Sequence, residues 1–81
     1  MEITYDQRYN IGYIRFKEKT RGIETIQISD ELNIDISPDG KVYGIELLNA
    51  NEQLKIMEKK EFAFTNESTG KTVQFPISVT H

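Results

Sequence analysis

The chain has 81 residues, 37% of them hydrophobic and 28% charged, with a net charge of −3 and no cysteine. That length makes a single domain, one that buries only about 60% of the surface its unfolded chain exposes. The missing cysteines exclude disulfides and thiolate metal ligands and fit a reducing, cytoplasmic compartment; lysines and arginines scattered among acids argue against nucleic acid; no apolar run is long enough for a signal peptide or a membrane span.

Ile3 and Tyr5 alternate with polar residues and open a short strand. Asp6 to Asn10 is a polar turn. Ile11 to Phe16 reads as a second strand, with Ile14 and Phe16 on one face and Ile11 and Tyr13 on the other. A charged connection, Lys17 to Gly22, leads to a third strand over Ile23 to Ile28, broken by Ser29-Asp30. Leu32, Ile34 and Ile36 alternate with Asn33 and Asp35, the period of a half-buried strand.

Ser37-Pro38-Asp39-Gly40 is a turn followed by the return strand Val42 to Leu48. Two registers compete. A type I turn with a glycine bulge pairs Ser37 with Lys41 and puts Leu32, Ile34 and Ile36 on the same face as Glu46, leaving apolar residues on both faces. A two-residue loop pairs Ser37 with Gly40 and groups them with Tyr43 and Ile45. Turn twist favours the first and clean alternation the second.

Asn49 to Lys60 is the one helix expected, capped by Asn49 with Glu52 reaching back, and with Ala50, Leu54 and Met57 on its apolar stripe and Ile56 off it. A C-terminal hairpin spans residues 62–79. Phe62, Phe64, Val73 and Phe75 frame it across Asn66 to Gly70, and Pro76 marks an edge or a strand end. The fold class is α+β: a small antiparallel sheet of six or seven short strands with one short helix, in a single domain over residues 1–81.

The residues offer little catalytic chemistry. His81 is the only histidine, so no nucleophilic triad and no Cys/His zinc site can be assembled. Asp35, Ser37, Asp39, Gly40 and Glu46 fall on the spacing of a calcium loop, but both flanks alternate as strands where that loop needs helices. Asp6, Asp35 and Glu46 could form a carboxylate cluster for acid–base work. Tyr5, Tyr9 and Tyr13 recur at a spacing of four and suit a protein interface.

The residues Tyr5-Asp6, Asn10, Tyr13-Ile14, Phe16, Thr25, Ile28 to Asp30, Asn33 to Ile36, Asp39-Gly40, Gly44 to Leu48 and Ala50, in that order and spacing, resemble the small prokaryotic proteins of domain of unknown function 2283. The resemblance covers residues 3 to about 50. Two positions depart from it: Asn10 stands where the family pattern has an acid, and Gly12 where it has an aliphatic residue. The resemblance implies a compact antiparallel sheet with a helix in a stand-alone cytoplasmic protein, no established enzyme activity, and a small protein partner as in toxin–antitoxin-type pairs.

The function expected is a non-enzymatic interaction module that forms a homodimer or binds a small protein, with Tyr5, Tyr9 and Tyr13 at the contact. No cofactor, metal, nucleic acid or membrane is expected as a partner. The alternative is a small hydrolase or metal-dependent enzyme working through Asp6, Asp35 and Glu46.

Overall fold

The structure, a computed structural model, describes residues 1–77. It has seven strands and two short helices: β1 (Glu2–Asp6), β2 (Ile11–Arg15), β3 (Glu24–Ser29), β4 (Leu32–Ile36), β5 (Val42–Leu48), α1 (Ala50–Leu54), α2 (Ile56–Lys59), β6 (Glu61–Asn66) and β7 (Lys71–Pro76). The α+β class is as expected. No helix among the described residues is long and apolar enough to cross a membrane.

Strands β1 to β5 form one antiparallel sheet in the order β1-β2-β5-β4-β3, and β6 and β7 form a separate hairpin. The β3-β4-β5 meander follows from short turns. The longer Lys17 to Gly22 connection lets the β1-β2 hairpin dock along β5, where the amides of Phe16 and Lys17 both donate to the Tyr43 carbonyl at 2.9 and 3.3 Å.

The β4-β5 turn takes the bulged register. Ser37 N donates to Lys41 O at 3.0 Å, Gly40 N to Ser37 O at 2.9 Å, and Gly40 has φ +87°. The face assignment expected from that register is nevertheless wrong. A second bulge places Ile36 opposite Val42 but Asp35 opposite Gly44, so Tyr43 is the extra residue. From there Ile34 pairs with Ile45 and Leu32 with Leu47. Two bulges in one hairpin cancel, and alternation is restored.

Cross-strand partners share a face. Ile3 pairs with Ile14, Ile14 with Ile45, Ile45 with Ile34, and Ile34 with Ile26, so one row of isoleucines crosses all five strands. The opposite face carries Thr4, Tyr13, Glu46, Asn33 and Gln27 in the equivalent row. One face is thus apolar in its central row and the other polar there, with Ile11 and Leu48 paired on the polar side.

The expected single helix is broken. Lys55 is left-handed (φ 57°) and separates α1 from α2. Asn49 is also left-handed (φ 52°) and makes no side-chain cap. The cap comes from Asn10, whose Oδ1 accepts the Asn51 amide at 2.8 Å and whose carbonyl accepts the Ala50 amide at 3.0 Å. Glu52 accepts from Asn10 Nδ2 at 2.5 Å instead of reaching back to Asn49. Asn51 Oδ1 in turn accepts the Met57 amide at 2.9 Å and caps α2. The buried apolar side chains of the helical segment are Ala50, at 0% exposure, and Ile56, at 7%, whereas Leu54 is exposed. Ala50 sits on Gly12, where an added Cβ would lie 3.2 Å from its own. A larger residue at position 12 would require Ala50 to give by a few tenths of an ångström.

In the C-terminal hairpin Phe62 stacks on Phe75 with ring centroids 5.0 Å apart. Phe64 pairs with Val73 on the same face, and Pro76 ends β7 as expected. Residues 78–79, expected in the hairpin, lie outside the described residues, as does His81.

The left-handed Gly40 generates a test. Gly40→Ala is expected to cost about 1 kcal/mol from the Cβ clash in that conformation and to lower the melting temperature by about 4–8 °C for a domain of this size. A calorimetric melting curve checks it.

Candidate functional site

The polar face is organised around one carboxylate. Asp35 is 4% exposed, the only buried charged side chain among the described residues. Bare burial of a carboxylate is costly unless hydrogen bonds replace its water. Three donors do so. Tyr13 Oη donates to Oδ2 at 2.6 Å, Thr25 Oγ1 to Oδ1 at 2.5 Å, and Lys19 Nζ lies 3.0 Å from Oδ2. The Lys19 ammonium also stands 5.4 Å from the centre of the Tyr13 ring.

The sheet register builds this cluster. Thr25 on β3 is directly opposite Asp35, and Gly44 on β5 is opposite it on the other side. Tyr13 on β2 is diagonal to Gly44, since Gly44 pairs with Arg15 and Tyr13 with Glu46. The tyrosine reaches Asp35 by lying across Gly44, where a Cβ would collide with the hydroxyl and the ring. One side chain thereby ties β2 to β4 over the strand between them.

Burial alone would raise the Asp35 pKa. The hydrogen bonds from Thr25, Tyr13 and Lys19, with the lysine charge, outweigh it and hold the carboxyl below its usual 3.8. Burial, followed by donation to Asp35, pushes the Tyr13 hydroxyl from 10.0 to about 12. The pair is therefore ionised at Asp35 and protonated at Tyr13 across the physiological range. Around it the same face is paired off: Asn33 donates to Glu46 at 2.8 Å, and Arg15 bridges to Glu2 at 3.3 Å.

Of the carboxylates of the enzyme alternative, Asp35 and Glu46 both flank Tyr13 on the polar face, while Asp6 is held apart. Asp6 accepts the Arg8 and Tyr9 amides at 2.9 and 3.3 Å in the β1-β2 turn. Glu46 is taken by Asn33 and Asp35 by its three donors. The calcium-loop spacing is also split up. Asp35 points into the polar face, while Ser37 bonds Asp39 at the turn. Among the described residues no group of three or more acids and histidines is gathered so as to hold a metal ion.

Nor are the three tyrosines brought together. Tyr5 pairs with Gly12 on the apolar face, its hydroxyl donating to Asn10 Oδ1 at 3.2 Å. Tyr9 stands exposed in the turn under the Arg8 guanidinium. Tyr13 is on the polar face with Asp35.

The apolar face is the part left unfinished. Ile3, Phe16, Ile26 and Ile28 are exposed on the sheet, and no large side chain anywhere among the described residues is fully buried. At the free edge of β1 an open cleft of about 820 Å³ runs between Ile3, Tyr5 and Arg8 on one side and Ile56, Phe62 and Ile77 on the other. Exposed patches of this kind mark interaction sites in soluble proteins.

The family model described as protein of unknown function (DUF2283) matches residues 2–51. The chain belongs to that family. In this DUF2283 protein the matched stretch is the complete five-stranded sheet and the first two residues of α1, so it contains Tyr13, Lys19, Thr25, Asp35 and Gly44. The β6-β7 hairpin lies beyond it. No curated protein and no solved structure matches the chain.

Sequence reasoning singled out Tyr13 and Asp35 but not their union. Thr25 and Gly44 had a signal, since both belong to the family pattern. Lys19 had none, lying in a charged connection of no distinctive composition.

Three outcomes check the cluster. Asp35 contributes stability above its unfolded pKa and loses it as pH falls through its depressed folded value, so acid weakens the fold below about pH 4. Tyr13, with its folded pKa raised, contributes fully below pH 10 and loses that contribution as pH climbs through about 12. Tyr13→Phe should cost about 2 kcal/mol at pH 7, a difference that shrinks between pH 10 and 12 in denaturant titrations. Gly44→Ala should cost about 2 kcal/mol or more in the native chain and much less in a Tyr13→Ala background, the non-additivity expected of touching sites.

Proposed function

We propose that this domain is a non-enzymatic protein-interaction module that works through the apolar face of its five-stranded sheet. The observation that carries the reading is the contrast between the two faces. On the polar face Asp35, Glu46 and Arg15 have partners in Tyr13, Thr25, Lys19, Asn33 and Glu2, with the buried Arg15 Nε alone left without one among the described residues. On the apolar face Ile26 and Ile28 stand open to water beside Phe16 and Ile3. A partner that covers this face removes the apolar surface from water at about 25 cal/mol per Å². The occupant is a second copy of the chain or a small protein. A cysteine-free chain fits a reducing cytoplasm, and the family resemblance favours a prokaryotic setting.

The hydrolase or metal-enzyme reading needs Asp6, Asp35 and Glu46 in one pocket; Asp35 and Glu46 share the polar face, but Asp6 is held in the β1-β2 turn and Asp35 and Glu46 each already accept a hydrogen bond. The separation of Asp6 supports the interaction reading.

The test places a photo-reactive phenylalanine analogue at Ile26, on the apolar face, and separately at Gln27, on the polar face of the same strand, in the full chain inside cells. Irradiation is expected to attach protein at position 26 and not at 27. Adducts at 27 alone, or at neither position, overturn the proposal.

A further inference from the structure

Two apolar surfaces of this chain lack a cover. One is the isoleucine face of the five-stranded sheet. The other is the face of the β6-β7 hairpin formed by Phe62, Phe64, Val73 and Phe75, where Phe64 is 63% exposed. An isolated two-stranded hairpin is marginal in water and needs a third strand or a packed face. Here β6 and β7 pair only with each other. The hairpin leaves the body of the protein at Lys60, a left-handed residue (φ 57°), beside the cleft along β1.

The size of the exposed surface shows that the chain is more open than a compact protein of its mass. The chain exposes 6327 Å², against about 5000 Å² for a compact protein of 9.4 kDa. Its radius of gyration is 14.3 Å, against about 12 Å for 81 packed residues. The excess is roughly 1300 Å² per chain. Two chains burying that much each would bury about 2600 Å² in all, within the range of obligate homodimers.

Resting on the reading of the sheet face as an interaction surface, we infer that its occupant is the β6-β7 hairpin of a second copy, exchanged reciprocally about a two-fold axis. Both needy surfaces belong to the same chain, and both are apolar. A two-fold rotation lays each hairpin on the other copy's sheet, so one self-complementary contact covers all four surfaces and closes the assembly. The packing is sheet on sheet, with Phe64, Val73 and Phe75 against the row Ile14, Ile45, Ile34 and Ile26.

Light scattering on the purified full chain across a micromolar series is expected to give twice the 9.4 kDa of one chain. Isotope-filtered NMR on a mixture of labelled and unlabelled protein is expected to show contacts between chains from Phe64 and Val73 to Ile26 and Ile34. Phe64→Asp and Ile26→Asp should each weaken the dimer at least about 100-fold, since each lesion occurs twice per pair. Mixing the two variants should recover association, because one hairpin-on-sheet contact of the mixed pair stays intact. If either variant fails to fold by circular dichroism, the wild-type contacts decide. A steady monomer overturns the inference. So does a dimer joined sheet to sheet or hairpin to hairpin, and so do hairpin-to-sheet contacts confined to one chain. A monomer that still cross-links other proteins at position 26 sinks the second copy and leaves the interaction reading standing; a monomer with no such adducts sinks both.

Discussion

One extra residue in β5 sets the side of the sheet on which every neighbouring side chain lies. The glycine-bulge turn at Ser37 to Gly40 alone would put Ile34 opposite Gly44 and send Asp35 to face Tyr43. The second bulge takes up Tyr43, and Asp35 then meets Gly44. A shift of one residue flips a strand's whole pattern, so this correction decides both faces at once. It gathers Ile34 and Ile26 on the side that carries Ile3, Ile14 and Ile45. On the other it opens, at Gly44, the gap that Tyr13 crosses.

The polar face then follows from electrostatics. A carboxylate as buried as Asp35 is tolerated because Thr25, Tyr13 and Lys19 supply donors from three separate segments. The cluster links β2, β3 and β4 and pins the Lys17 to Gly22 connection through Lys19. Breaking one partner leaves a buried group unpaired, which costs more than the bond is worth on balance. Fixed in this way, Asp35 has its donors from within the chain, although the Arg15 Nε on the same face is buried without a partner among the described residues. The apolar face is the opposite case. The helices are short, and their buried residues are Ala50 and Ile56, which cover the sheet only near Gly12 and the β1 edge. With the rest of the described chain committed to a hairpin that pairs only with itself, Ile14, Ile34 and Ile45 are half-buried and Ile26 and Ile28 stay exposed.

The helical segment shows how a local signal can mislead. Asn49 and Glu52 have the spacing of a capping box, yet Asn49 is left-handed and Glu52 turns to Asn10. The chain enters α1 straight from β5, and the β1-β2 turn is already beside it. Asn10 therefore offers both its carbonyl and its side chain to the helix start. Its hydrogen bond also holds the Glu52 carboxyl below its usual range. An amide does here what an acid could not, since it accepts from Asn51 and donates to Glu52 together.

The strands were legible in the sequence because period-two alternation and turn chemistry are local: Leu32 to Ile36, the Ser37 to Gly40 turn and the Phe62 to Phe75 hairpin each carry their own signal within a few residues. The two faces of β2 were legible for the same reason. The register beyond the turn was not, since a bulge at Tyr43 leaves no mark in composition and is fixed only when strands on both sides demand it. The cluster was half legible. Tyr13, Thr25, Asp35 and Gly44 stood in the family pattern, but their union requires β5 to lie between β2 and β4, an order no local pattern encodes. Lys19 and the Asn10 cap were invisible, being contacts across 16 and 41 residues of chain. Sequence by itself determined which segments extend, where they turn and which residues want burial. Tertiary structure alone decided which of those residues obtain it, because burial depends on which strands become neighbours and on how much chain remains to cover them.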